Sequence, residues 1–333
     1  MKMDLSFSQI QGISRGVAYM EQVDGMILFH RFTKAQEDMY QDKSADSHMR
    51  SFASAGVILE FETDSSTMDL TVAITPASSR NYFVHSVFVN GKRIGELSGE
   101  MTRDDKDTIH TAAFSLGIGS KQVKILFPWS AMSKLCSLQL EENAFLRPIQ
   151  KGKKVLVFGD SITQGYDARF PENAYASRLV DWLDADGINK GIGGEMFHPP
   201  LAMLSDDVNP ALITVAYGTN DWRLLPRKTL LADSREFFGN LRKVYPSVPI
   251  VAFAPIWRAD MDMETKAGDF RSIPKYLQEI AGDIGNMQVI DCFDFVPHQT
   301  AMFYDLRLHP NDEGFGHYAN CMIRVLQEMN TLL

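Results

Sequence analysis

The chain has 333 residues, 45% of them hydrophobic and 23% charged, with a formal net charge of −9. That length leaves room for two domains, and the composition is that of an ordinary globular protein. The acidic balance argues against a polyanion partner such as nucleic acid, which needs clustered Lys and Arg, and no run of about 18 apolar residues exists to cross a membrane.

The amino terminus, Met1 to Ile10, lacks the basic start and apolar core of a secretory signal, so the expected compartment is the cytoplasm. Cys136, Cys292 and Cys321 are odd in number and widely spaced, which suits reduced thiols better than disulfides. The eight histidines show no paired spacing such as H-x-x-x-H, so neither a metal centre nor another cofactor is expected.

In the first 55 residues the pattern is faint. Met26 to Phe32 suits a strand, and the polar run Thr33 to Met49 reads as a surface loop or short helix. From Gly56 the pattern turns to β. Val57–Thr63 and Met68–Thr75 contain period-two alternation, and Asp64-Ser-Ser lies between them. Phe83–Val89 and Lys92–Leu97 flank Asn90-Gly91, a strong hairpin signal. Thr111–Leu116, Gln122–Phe127 and Ser137–Glu142 continue the series. Six or seven short strands with no convincing amphipathic helix predict an antiparallel β-sandwich of jelly-roll type over residues 1–150. Trp129 is expected to be a core or edge residue rather than a stacking platform.

From residue 151 onward, strands alternate with helix-length segments, which predicts a parallel sheet with helices on both faces through residue 333. Val155–Phe158 is a continuous apolar run, hence a strand buried on both faces, and it stops at Gly159-Asp160-Ser161. A helix over Ala174–Ala185 leads to a short strand at Gly187–Gly191 and the turn Gly191-Ile-Gly-Gly194. Ala211–Tyr217 is a buried strand ending at Gly218-Thr-Asn-Asp221. A helix over Leu230–Val244, a strand at Pro249–Ala254, a helix over Tyr276–Ile284 and a strand at Met287–Asp291 follow. His309-Pro310 precedes a closing helix over Gly314–Leu332. In a parallel sheet these connections share one rim, so a hydroxyl, a glycine amide, a side-chain amide and an imidazole are delivered to one edge, the inventory nucleophilic acyl transfer needs.

Gly159-Asp-Ser-Ile-Thr163, Gly191-Ile-Gly-Gly194, Gly218-Thr-Asn-Asp221 and His309-Pro-Asn-Asp312 resemble, in order, the blocks of the SGNH (GDSL-type) hydrolases, over about residues 153–333. The resemblance implies a flavodoxin-like α/β/α domain with Ser161 as nucleophile and His309 as its base. It implies an oxyanion hole from Asn220 and the amides of Gly194 and Ser161, with Gly193 as the neighbouring alternative. The family usually carries its triad Asp three residues before the His. Here that position is Leu306, and the nearest carboxylate is Asp305, four residues before His309. A bulged loop would bring Asp305 to the ring; Asp291, Asp294 or a backbone carbonyl are the alternatives.

Asp160 and Asp221 read as residues that hold loops, His198 as a loop residue and His317 as structural. Trp222 and Trp257 follow the third and fourth strands and are the candidates for touching substrate. The sandwich ahead of such a domain resembles carbohydrate esterase family 2, which implies removal of acetyl groups from carbohydrates or oligosaccharides. A lysophospholipase or thioesterase on longer acyl chains is the runner-up. A catalytically impaired carbohydrate-binding protein is a third reading. The expected partner is a small-molecule or oligosaccharide ester, and the sequence leaves the oligomeric state open.

Overall fold

The computed structural model describes residues 1–102 and 106–329. Residues 2–148 build two antiparallel sheets packed face to face. One runs in the order Tyr19–Val23, Met26–His30, Ala131–Glu141, Thr67–Pro76, Thr108–Ser115, with Lys2–Asp4 also paired to Ala131–Glu141. The other runs Arg147–Pro148, Ile58–Thr63, Lys121–Leu126, Tyr82–Val89, Lys92–Glu100, with Ser14–Arg15 beside Ile58–Thr63. Alternate residues point inward, so Phe61, Leu70, Val72, Phe83, Val87, Val123, Ile125 and Leu135 form one apolar core between the sheets. The Asn90-Gly91 hairpin is as expected. Both residues have positive φ (48° and 77°), which matches the right-handed twist of the flanking strands.

The first 55 residues hold more structure than their pattern showed. Phe7–Ile13, Lys34–Lys43 and Ala45–Ser51 are helices, and Tyr19–Val23 pairs with Met26–His30. The first two helices open with reciprocal capping boxes, Ser6 with Gln9 and Thr33 with Gln36. That S/T-x-x-Q spacing was visible in the sequence, although the short helices it starts are mostly polar.

Residues 153–290 form a five-stranded parallel sheet in the order Ala185–Gly191, Lys153–Gly159, Leu212–Ala216, Ile250–Phe253, Met287–Ile290. This is the doubly wound order 2-1-3-4-5, which opens a crevice where the winding reverses, at the carboxyl end of the central first strand. The apolar run of that strand serves both faces. Leu156 and Phe158 pack with Phe237, Phe238 and Leu241 of the helix Arg227–Val244. Val155 and Val157 pack with Leu179 of Tyr175–Trp182 and with Phe315 and Met322 of the closing helix Asp312–Glu328. Some helix boundaries differ from expectation: the helices expected from Leu230, Tyr276 and Gly314 begin at Arg227, Ile273 and Asp312. The helix expected to run to Ala185 stops at Trp182, because Asp184 (φ 48°) turns the chain into the next strand. The expected end of the closing helix, residues 330–332, lies outside the described residues.

The sandwich docks onto the parallel sheet through polar side chains aimed at backbone. Arg31, fully buried, donates to the carbonyls of Ala53 (2.5 Å), Asn189 (2.5 Å), Gly191 (3.1 Å) and Arg50 (3.2 Å). Lys190 reaches the other way, to the Arg31 carbonyl at 2.6 Å and Gln36 Oε1 at 2.9 Å, and forms a buried ion pair with Asp206. Carbonyls at the end of an edge strand would otherwise be buried without donors, which is costly. Arg31→Met should therefore lower stability in urea unfolding by about 3 kcal/mol or more, since several buried acceptors lose their partner at once.

Candidate active site

The central strand ends at Gly159, and Asp160 caps a four-residue helix, Ser161–Gln164, by accepting from the Ile162 amide at 2.9 Å. The strand-to-helix turn is tight: a Cβ at Gly159 would lie 1.9 Å from Thr163 Oγ1. Gly165 (φ 108°) ends the helix in the left-handed region that favours glycine. Ser161 is thereby the first helical residue, so its N–H has no acceptor within the helix.

Ser161 Oγ lies 2.9 Å from His309 Nε2, and His309 Nδ1 lies 2.9 Å from Asp305 Oδ2. A carboxylate at Nδ1 fixes the proton there, leaving Nε2 to accept from the serine hydroxyl. Asp305 is four residues before the ring yet reaches it because Leu306 adopts φ 56°, an uncommon conformation for a branched side chain. That kink folds the backbone back over the carboxylate: Asp305 Oδ1 accepts from the amides of Arg307 (3.0 Å), Leu308 (2.7 Å) and His309 (3.1 Å). Burial opposes ionisation of Asp305, but the His309 hydrogen bond and these amides outweigh it and hold the carboxyl well below its usual range. The neck of the loop is pinned by the Phe303–Pro310 bridge and by the Tyr304 amide on the His309 carbonyl at 2.8 Å. Asn311 then caps the closing helix.

The alternatives for the ring's partner are engaged elsewhere. Asp291 lies 3.6 Å from Arg271, and Asp294 pairs with His298 at 3.1 Å.

Opposite the serine, Ile192–Glu195 is a turn closed by the Glu195 amide on the Ile192 carbonyl at 3.1 Å, with Gly194 at φ 80°. The two glycines differ. The Gly193 amide is spent on Gln164 Oε1 at 2.7 Å, while its carbonyl accepts from Arg50 at 2.6 Å. Asn220, on the short helix Thr219–Leu224, donates one amide hydrogen to the Glu195 carbonyl at 2.9 Å and keeps the other. Asp221, wholly buried, accepts from the Phe197 amide at 3.0 Å and the Gly218 amide at 3.1 Å, and so ties the Asn220 turn to the glycine loop.

Several residues stand away from their sequence expectation, or gain a role the sequence did not show. Trp222 does not face the site: it is fully buried, donates to the Gly268 carbonyl at 2.8 Å and lies under the Arg258 guanidinium. Its helix turns it inward, so the low-polarity core rather than solvent claims the indole. Trp257 is half-buried and stacks on His298, with Phe303 beside it. Trp129 is a buried junction residue, its indole N–H on the Ala168 carbonyl at 2.8 Å and its carbonyl on Gln164 at 2.9 Å. His198 is half-buried near Tyr40, and His317 is exposed. Asp167 was missed: its Oδ2 is 3.4 Å from His309 Nδ1, and both its oxygens accept from Arg80 at 2.6 Å. No motif in the sequence marks it, because its partner Arg80 is 87 positions away. Asp167, Asp305 and His309 also bring ligand atoms within 4.8 Å of one another, but their hydrogen bonds are already committed to Arg80, to the loop amides and to Ser161. Beside Asp167, an open cleft of about 450 Å³ is lined by Tyr82, Arg169, Tyr304, Asn311, Asp312 and Glu313.

Fold and site together define a doubly wound α/β domain whose rim carries a hydroxyl–imidazole–carboxylate chain, joined to an antiparallel sandwich. Residues 157–316 match the model of the GDSL-like Lipase/Acylhydrolase family, and this part of the chain is an acylhydrolase domain of that family. No curated protein matches the sequence. Among solved structures, the chain is similar to a salicylyl-acyltransferase from a tetracycline biosynthetic pathway (18% identity, 100% of this chain and 98% of that one, TM-score 0.85). It is similar to a Bacteroides ovatus protein described as a GDSL-like lipase (19%, 100% and 98%, TM-score 0.77). A family two carbohydrate esterase from Cellvibrio japonicus also aligns (17%, 98% of each chain, TM-score 0.68). At these identities the likeness is one of fold, and it extends over the sandwich as well as the α/β domain. No helix among the described residues is long and apolar enough to cross a membrane.

Burial gives the site a pH signature. Burial, with Asp221 nearby, pushes the Asp160 carboxyl up from its usual 3.8 to about 7, outweighing the Ile162 amide bond. It forms part of the wall of a cavity of about 20 Å³ lined with Phe253, Pro255 and Ile256. A folded-state pKa above the unfolded one stabilises fully at low pH and is lost as pH rises through about 7. Asp160→Asn should therefore shrink the fall in urea-unfolding stability between about pH 5 and pH 8.

Proposed function

We propose that the protein is a serine esterase that removes O-acetyl groups from carbohydrates or oligosaccharides through an acyl-enzyme. The observation that carries the mechanism is the chain Ser161 Oγ–His309 Nε2 (2.9 Å) and His309 Nδ1–Asp305 Oδ2 (2.9 Å). As Oγ attacks the acyl carbon its proton passes to Nε2, and Asp305 stabilises the imidazolium that forms. The oxyanion is met by the amides of Ser161 and Gly194 and by the second amide hydrogen of Asn220. Gly193 is set aside because its amide is already committed to Gln164. Each such donor is worth about 2.7–4 kcal/mol in the transition state. Collapse expels the sugar alkoxide, which takes the proton from Nε2. Water then gives its proton to the same nitrogen, attacks the acyl-enzyme and releases acetate and Ser161.

Support for the substrate class is the sandwich–hydrolase arrangement shared with a family two carbohydrate esterase, together with the open, tyrosine-flanked cleft beside the His309 loop. An intact Ser–His–Asp chain speaks against a catalytically impaired binding protein. Loss of 4-nitrophenyl acetate hydrolysis in Ser161→Ala, with the circular dichroism spectrum retained, is the expected result. A serine-directed phosphonate should label Ser161 alone; labelling elsewhere would overturn the assignment. Rates on 4-nitrophenyl esters should fall steeply from acetate to butyrate and vanish by octanoate, and acetylated xylo-, manno- or gluco-oligosaccharides should release acetate. A preference for octanoate would transfer the protein to the lysophospholipase or thioesterase class while sparing the mechanism.

A further inference from the structure

The mechanism above makes no use of Asp167 or Arg80, although both stand next to its base. The Asp167 side chain is wholly buried, and its Oδ2 is 3.4 Å from the ring nitrogen that Asp305 already occupies at 2.9 Å. It is held there at a backbone cost. Asp167 has φ 71°, two residues after Gly165 at φ 108°, and a non-glycine residue in that region persists only where its surroundings enforce it. What enforces it comes from the sandwich: Arg80 grips both oxygens at 2.6 Å through Nε and Nη2, and its guanidinium carbon lies 5.4 Å from the centre of the Tyr166 ring. Tyr166 in turn lies against His309, ring centres 5.5 Å apart.

We propose that Asp167 and Arg80 are a positioning pair that sets the working pH of His309. Asp167 supplies a second negative charge at Nδ1, and Arg80 cancels most of it from the other domain. The proposal rests on His309 acting as the base for Ser161. With all four groups charged, as in the transition state, His309 and Arg80 balance Asp305 and Asp167. Take away Asp167, and the ring faces an uncancelled guanidinium; take away Arg80, and it faces two carboxylates. The two deletions must move the imidazole's proton affinity in opposite directions. A pair that merely held the loop would give no such opposition. The remaining groups around the ring are Ser161, Tyr166, and on its own loop Asp305 and Arg307, whose guanidinium faces Asp260 at 3.4 Å. Tyr82, Arg169, Tyr304, Asp312 and Glu313 share the cleft with Asp167. Asp312 accepts from the Arg169 amide at 2.8 Å, and the Tyr82 hydroxyl donates to the Ala168 carbonyl at 3.4 Å. The grip also raises the proton affinity of Arg80, first through its hydrogen bonds to Asp167, so the guanidinium stays charged across the working range.

The test is the acid limb of kcat/KM against pH for 4-nitrophenyl acetate, which reports the base in the free enzyme. Asp167→Asn should move the limb down by about one pH unit and Arg80→Met should move it up by about as much. The double variant should return it towards the wild-type position, and Arg80→Lys, which keeps the charge, should stay near it. If both single variants shift the limb the same way, or neither shifts it, the pair does not tune His309. Should Arg80→Met fail to fold, the downward shift of Asp167→Asn against an unmoved Arg80→Lys carries the same sign. Phosphonate labelling separates the two readings. If Ser161 is not labelled, the proposed mechanism fails. If Ser161 is labelled but the limbs do not part, only the pairing of Asp167 and Arg80 with the base is wrong.

Discussion

The hydrogen bond from Ser161 Oγ to His309 Nε2 is the contact on which the rest of the molecule depends. A serine hydroxyl is a poor nucleophile unless a base is already aimed at its proton, and an imidazole is that base only if its own proton sits on the far nitrogen. The fold secures both conditions from 148 residues apart in sequence. The strand Lys153–Gly159 and its four-residue helix hold the hydroxyl, and the Leu306 kink turns Asp305 under the ring. Neither half can drift, because one is anchored in the buried centre of the sheet and the other by a pinned loop neck and a capped helix.

A second layer of polar contacts keeps the surrounding loops in register, and much of it belongs to the sandwich. Arg31 satisfies the strand end that leads into the glycine turn, Arg50 holds the Gly193 carbonyl, and the Trp129 carbonyl orients Gln164, whose oxygen takes the Gly193 amide. The consequence is chemical as well as structural. With the Gly193 amide occupied by Gln164, the neighbouring Gly194 amide is the donor on which the proposed oxyanion hole draws. Aligned donors that need not reorganise are worth more in a buried site than the same groups in water. The sandwich is therefore a buttress of the rim.

Much of this was open to reading from residues alone, wherever the controlling physics is local. An apolar run reads as a strand buried on both faces, Asn-Gly between alternating runs reads as a hairpin, and small polar residues at strand ends mark the rim. The helices Phe7–Ile13 and Lys34–Lys43 were less legible, because their capping boxes were not joined to a clear apolar stripe. Trp222 misled because an aromatic two residues beyond Asn220 sits on a helix whose next side chain turns into the core.

What the sequence determined by itself was which polar groups gather along one sheet edge and in what order, since hydrophobic periodicity and turn residues decide where strands end. What only the tertiary structure decided was which partners those groups meet. Asp305 rather than Asp291 or Asp294 reaches His309 because of one positive φ at Leu306, which no residue type announces. Asp167 and Arg80, 87 positions apart, come together because two domains dock. Side-chain pairing across such separations costs little chain entropy once the sheets have packed, yet leaves no periodic trace in the sequence.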